Sequence, residues 1–262
     1  MSALLSVEHL SCGYGRQEIV HDVSLSVEKG EFCALLGLNG CGKTTLIKSI
    51  CGLLPIEQGR CFVDGEDCTD LNERQHALRM SYIPQRSSPL FGKSVLDVVL
   101  MGYNARLHLL ESPGELCRLQ AAEALDRLGL HGLARRDYAT LSEGQKQLVI
   151  LARTLVQDAP VMLMDEPDSA LDFVNRHMVL AKIREVLHDR QRAGLITLHD
   201  PNFALTYCDR LLLMKDGRIT AEIDMKKATR EEAQAALGLI YGEIAVLEYA
   251  GRYIMTKRAQ EG

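Results

Sequence analysis

GLNGCGKTT, residues 37 to 45, is the stretch on which the fold turns. Gly37, Gly42, Lys43 and Thr44 fall on the spacing G-x-x-x-x-G-K-[ST], which belongs after a strand and at the start of a helix. Both contexts are present: EFCALLGL leads in as an apolar run, and TTLIKSICGLL leads out with helical periodicity. The residue types suit phosphate chemistry. Glycines let the backbone wrap an anion with its N–H groups inward, a lysine at 43 reaches the β- and γ-phosphates, and a hydroxyl at 44 can bind Mg²⁺. A bare glycine-rich turn would need neither the lysine nor the threonine. Gly37, Leu38, Asn39, Gly40, Cys41, Gly42, Lys43, Thr44 and Thr45 are therefore the candidate phosphate cradle.

Working outward, apolar strand-like runs alternate with helical patterns: PVMLMDEP, AGLITLHD and RLLLMKDG repeat the character of EFCALLGL. Such alternation predicts an α/β domain around a largely parallel sheet. VMLMDEP ends in acid, which puts Asp165 and Glu166 at the carboxyl end of a buried strand, where open α/β sheets hold their ligands. Beside a phosphate loop, Asp165 becomes the expected Mg²⁺-side carboxylate and Glu166 a candidate base for the attacking water. The first thirty residues alternate apolar and polar with turn glycines, as antiparallel strands do. Between about 86 and 158 long helical stretches take over, a helical subdomain inserted between strands. The α/β domain is expected to run over 1–225. The tail over 226–262 is poorly defined, although TREEAQAALGLIYG reads as a capped short helix.

Within DYATLSEGQKQLVILARTL, Ser142 and Gln145 have the capping-box spacing, so the loop is first of all a helix start. The same residues offer a hydroxyl, a glycine and free amides at the positive end of a helix dipole, a good surface for phosphate.

Composition narrows the function classes. The 262 residues are 47% hydrophobic and 25% charged, which excludes disordered and fibrous classes. A net charge of -5 with no basic cluster gives no footprint for nucleic acid. No apolar run approaches the roughly 18 residues that cross a bilayer, and MSALLSVEHL lacks a basic region followed by a long apolar run, so the chain is expected neither to span a membrane nor to be exported. Eight cysteines are scattered without a C-x-x-C pair and read as reduced cytosolic thiols.

With these motifs in order, the chain resembles the ATP-binding subunit of ATP-binding-cassette (ABC) transporters over nearly its whole length. Tyr14 in CGYG looks like the aromatic on which adenine stacks; GLNGCGKTT is the Walker A loop; YIPQ carries Gln85 of the Q-loop; LSEGQ is the signature; VMLMDEP is Walker B; SALD carries Asp172 of the D-loop; TLHD carries the switch histidine, His199. The resemblance implies a P-loop NTPase with a RecA-like core, an antiparallel β subdomain and an inserted helical subdomain. It implies ATP and Mg²⁺, with Thr44, Asp165 and Gln85 on the metal, Glu166 on water and His199 on the γ-phosphate. It also implies a head-to-tail dimer with a second copy or a homologous subunit, in which Ser142, Glu143, Gly144 and Gln145 cover the partner's ATP. An integral-membrane permease, and through it a substrate-binding protein, are the further implied partners, which places the chain peripherally on the cytoplasmic face of the membrane.

SYIPQRSSPLFGKSVLDVVLMGY and TLHDPNFALTYCDRLLLMKDGRI look most like ATPases of importers for iron chelates, corrinoids, haem or molybdate. Two other readings stand beside this: a soluble ABC ATPase without a permease, of the iron–sulfur assembly or repair type, and a monomeric phosphate-loop kinase, which LSEGQ and SALD disfavour. Four positions stand apart from the family pattern: Glu143 replaces a usual glycine, Thr44 a serine whose hydroxyl it keeps, Asp168 a usual threonine, and Cys41 sits in the loop at a helix N-terminus, a setting that favours thiolate although a small serine-like filler is the simpler reading. Leu90 and Phe91, beside Pro89, are the expected permease contact, whereas Val95, Val98 and Val99 at helical spacing are expected to fill the core.

Overall fold

A computed structural model describes residues 3–85, 92–108 and 111–258; Leu90 and Phe91 lie outside the described residues. β1 (Ala3–Tyr14) and β2 (Gln17–Glu28) form a long antiparallel pair. β2 buries Val20, Val23, Leu25 and Val27 and turns polar residues between them outward. β3 (Phe32–Leu36) is buried at all five positions and delivers the chain into the glycine loop and α1 (Lys43–Ile50). β4 (Gln58–Val63) and β5 (Glu66–Asp67) complete a four-stranded sheet in the order β2-β1-β4-β5. After α2 (Glu73–Arg79), β6 (Met80–Ile83) joins the second sheet.

α3 (Val95–Leu100), α4 (Glu115–Arg127) and α5 (Glu143–Gln157) follow before the chain returns to the sheet as β7 (Val161–Asp165). Val95, Val98 and Val99 are fully buried among these helices, as their spacing predicts. α6 (Phe173–Arg190), β8 (Ala193–Thr197), α7 (Pro201–Tyr207) and β9 (Arg210–Lys215) continue the alternation. β10 (Arg218–Asp224) then adds an antiparallel edge. The six strands run β10-β9-β3-β8-β7-β6, parallel from β9 to β6.

The two-residue period of β3 sorts its side chains into two cores. Phe32, Ala34 and Leu36 pack with the helices α5 and α6, whereas Cys33 and Leu35 pack with α1 and the antiparallel sheet. A fully buried aliphatic side chain such as Leu35 contributes about 1.5–3 kcal/mol, so both faces of the sheet are strongly held. The buried Arg192 closes the end of α5, donating to the carbonyls of Thr154 (3.3 Å) and Leu155 (3.4 Å) and to Asp158 Oδ1 (2.5 Å). The tail is more structured than its sequence suggests. α8 (Arg230–Tyr241) starts on a Thr229–Glu232 capping box, and β11 (Ile244–Tyr249) pairs with β12 (Arg252–Lys257) in a hairpin. The Asn202 side chain ties that hairpin to α7, accepting from Met255 N–H at 2.7 Å and donating to its carbonyl at 3.2 Å. Among the described residues no helix is long and apolar enough to cross a membrane.

Parallelism places the site. The chain leaves β3 into residues 37–42, β6 toward Gln85, β7 into Glu166 and β8 toward His199, so four separate segments meet at one edge of the sheet.

Candidate active site

The glycine loop is shaped by close approach. A Cβ on Gly37 would lie 2.3 Å from the Met214 carbonyl oxygen, and Gly40 and Gly42 hold φ of 81° and 107°, where a side chain is strained. α1 starts at Gly42 without a side-chain cap and without an acid in its first turn, which leaves its positive end to an incoming anion. α2, α3, α5, α6, α7 and α8 are all capped by a side chain. Lys43 is buried, its ammonium donating to the carbonyls of Gly37 at 2.9 Å and Leu38 at 3.3 Å.

Opposite the loop, a web of hydrogen bonds joins the four strand ends. Thr44 Oγ1 donates to Asp165 Oδ1 at 3.0 Å, and Thr197 Oγ1 donates to the same oxygen at 2.9 Å. The Thr197 hydroxyl also accepts from the Glu166 amide at 2.9 Å. Glu166 is buried at 6% exposure with φ 47°, a left-handed conformation costing a non-glycine residue about 1–3 kcal/mol. Its carboxylate is held in turn: Gln85 Nε2 donates to Oε2 at 2.5 Å, and His199 Nε2 lies 2.7 Å from the same oxygen. Asn39, Gly40, Gly42, Lys43, Thr44 and Thr45 line the resulting cleft, which Gln85, Glu166 and His199 close on the far side.

The other expected residues fall elsewhere. Tyr14 is half-exposed at the end of β1 and is not in the cleft lining, where Ile19 of β2 stands near the loop instead. Ser142 caps α5 and receives the Gln145 amide at 3.3 Å, and Glu143 turns to solvent and pairs with Lys146 at 2.7 Å. Gly144 is buried against Asn175, whose carboxamide would meet an added Cβ at 2.8 Å. Asp172 caps α6, accepting from Asn175 N–H at 2.9 Å. None of Ser142, Glu143, Gly144, Gln145 and Asp172 lines the Lys43 cleft of their own chain. Burial pushes the Cys41 thiol up despite the neighbouring Lys43, which agrees with the small-filler reading and not with a thiolate. Asp168 is buried, and burial raises its carboxyl above the ordinary range.

Sequence reasoning missed Thr197 as a site residue. Its only signal was position, since it is the last residue of β8 and the register partner of Asp165 at the end of β7. The oxygens of Thr44 and Asp165, 3.0 Å apart beside an uncapped helix start, fit Mg²⁺ with a phosphate ligand; this ion takes one or two protein carboxylates and completes its shell with phosphate and water. Among the described residues no three His, Cys, Asp or Glu side chains cluster to hold a metal by themselves.

Comparison with known proteins adds the family. The model for ABC transporters matches residues 20–169. A "probable iron chelatin transport ATP-binding protein" of Helicobacter pylori is 36% identical over 217 residues, covering 82% of this chain and 85% of the relative. A hemin import ATP-binding protein of Shewanella denitrificans is 35% identical, with 84% and 87% covered. Among solved structures, a nucleotide-free ATP-binding cassette from an ABC transporter superposes with a TM-score of 0.80 at 28% identity, covering 90% of this chain and 96% of that one.

Proposed function

This chain belongs to the ABC transporter family and is an ABC-type ATPase, and from that premise we propose that it drives a membrane importer. In this reading two copies, or this chain and a homologous subunit, close head to tail around two ATP and move a permease. The cargo is an iron chelate, corrinoid, haem or similar metal-containing ligand, delivered by a substrate-binding protein. The iron-chelatin and hemin transport names of the relatives support that class of cargo. They also weigh against an ABC ATPase that works without a permease.

The observation that carries the ATPase chemistry is the web joining Thr44, Asp165, Thr197 and Glu166 opposite Lys43. Lys43 and the α1 amides would take the phosphates, trading the Gly37 and Leu38 carbonyls for phosphate oxygens. Thr44 and Asp165, with Gln85 nearby, would hold Mg²⁺, which when bound neutralises phosphate charge. Glu166, aimed by Gln85 and His199, is the group placed to orient a water and accept its proton. Removal of the γ-phosphate would then loosen a dimer in which Ser142 and Gly144 of one copy cover the ATP of the other.

The deciding experiment is fractionation of cells expressing the full chain, with hydrolysis measured before and after reconstitution with its permease. Association with membranes and permease-stimulated turnover are expected, and both are expected to be lost in a Leu90→Asp, Phe91→Asp double variant that still binds ATP. A wild-type chain that never associates with membranes would put the permease-free reading first.

A further inference from the structure

A second chamber, about 390 Å³, adjoins the catalytic cleft and is lined by Gln85, Asp168, Ser169, Ala170, Arg176 and His199. Gln85 and His199 line both spaces, and each reaches Glu166 Oε2, the amide by a hydrogen bond and the imidazole by an ion-pair contact, so these two side chains stand between the spaces. We propose that the chamber binds the inorganic phosphate released by hydrolysis, with Arg176 as its donor and Asp168 as the acceptor that recognises the new P–OH group. The proposal rests on the ATPase reading and concerns where its product goes.

Arg176 is an anchored cation. Its Nε donates to the Leu171 carbonyl at 2.9 Å, the guanidinium lies 5.9 Å from the Phe203 ring centroid, and Asp168 Oδ2 is 4.0 Å away. Both polar contacts are made by Nε, and the Phe203 ring takes a face of the guanidinium. Planar N–H pairs held in this way suit a tetrahedral oxyanion. Asp168 supplies the complementary signal: it is 3% exposed, and its Oδ1 has no hydrogen-bond partner among the described residues. A buried acceptor without a partner calls for a donor from whatever enters the chamber. Orthophosphate near neutral pH carries an O–H that can donate to Oδ1 while its charged oxygens accept from Arg176. The γ-phosphate of bound ATP, fully ionised beside Lys43, offers no such hydrogen. A carboxylate in the lining also limits anion affinity, as release requires.

Sulfate is the discriminating probe, because it has the shape and charge of phosphate and no O–H at neutral pH. With ADP and Mg²⁺ added to the full chain, the ³¹P line of orthophosphate should broaden. Sulfate should reverse that broadening only at about tenfold higher concentration, because a site built around a donated hydrogen bond rejects the analogue that lacks it. Arg176→Met should weaken phosphate binding about tenfold. Asp168→Asn should let sulfate compete at roughly equal concentration, since its amide can donate and the carboxylate repulsion is gone. Should Arg176→Met unfold by circular dichroism, the Asp168→Asn, Arg176→Met double variant removes both charges and should also lose binding relative to Asp168→Asn. Arg190→Met, whose guanidinium pairs with Asp158 at 3.5 Å, should behave as wild type. Undiminished phosphate binding in the Arg176 variants, equal competition by sulfate in the wild type, or no wild-type broadening overturns the chamber while hydrolysis stands. A wild-type chain that neither binds ADP nor cleaves ATP overturns the ATPase reading instead.

Discussion

Thr197, the last residue of β8, donates its hydroxyl to Oδ1 of Asp165, the last residue of β7, across a parallel strand pair at 2.9 Å. Because the same hydroxyl accepts from the Glu166 amide, one side chain fixes both the carboxylate proposed for the metal and the backbone of the proposed base. Thr197→Val keeps the shape and removes the hydroxyl, leaving a buried N–H without its acceptor. We expect a loss of about 1–3 kcal/mol in urea unfolding together with slower phosphate release, both recovered by Thr197→Ser. Unchanged stability in the valine variant would remove Thr197 from the machinery.

Glu166→Gln keeps the side chain's size and removes its capacity to take a proton. ATP binding should persist while turnover falls by about 10²–10⁴. Size-exclusion chromatography with Mg-ATP, run beside a phosphate-release assay, should then find a lasting dimer. Near-normal hydrolysis would exclude Glu166 as the base.

Trans action is tested by mixing two inactive chains. Lys43→Ala cripples a chain's own phosphate loop, and Ser142→Arg blocks the loop that would cover the partner's ATP. In the mixed dimer both lesions fall on one composite site and the other is intact, so ATP-induced association, and part of the activity, should return. No association in the mixture, with each parent folded by circular dichroism, would sink the head-to-tail arrangement.

Asp168 should leave a mark on the pH dependence of stability. Burial raises its folded-state carboxyl above the ordinary value of 3.8, so the folded chain binds this proton more tightly than the unfolded chain does. Its contribution therefore becomes unfavourable as pH rises through that range and stays so at neutrality. Asp168→Asn should be more stable than wild type at pH 7 in denaturant unfolding, with the advantage shrinking as pH falls toward 4. An advantage independent of pH would assign the effect to packing.

Much of the architecture was legible because its signals are local. The apolar runs before Gly37, Asp165 and His199 could hardly be anything but buried strands, and the Ser142–Gln145 spacing announced the start of α5. The hairpin of β11 and β12 was not legible. Its turn is Ala250–Gly251, with φ of 50° and 71°, where Asn-Gly would have advertised the same geometry. Tyr14 and Ile19 exchanged prominence for a similar reason, since exposure at the end of β1 or β2 depends on how the antiparallel sheet meets the loop.

By itself, the sequence determined the family, the order of the motifs and the chemical type of each group proposed for the site: a lysine and amides offered to phosphate, hydroxyl and carboxylate oxygens offered to a hard cation, and a glutamate as candidate base. These depend on residue identity and short spacing, which a chain carries before it folds. The tertiary structure alone decided which groups touch. Gln85, Glu166 and His199 are separated by many residues and converge only because β6, β7 and β8 run parallel and end at one edge, so that Gln85 and His199 meet Glu166 at the same oxygen. The partnerless Oδ1 of Asp168 and the oriented guanidinium of Arg176 belong to the same class of fact: burial and the absence of a hydrogen bond among the described residues are properties of the packed chain.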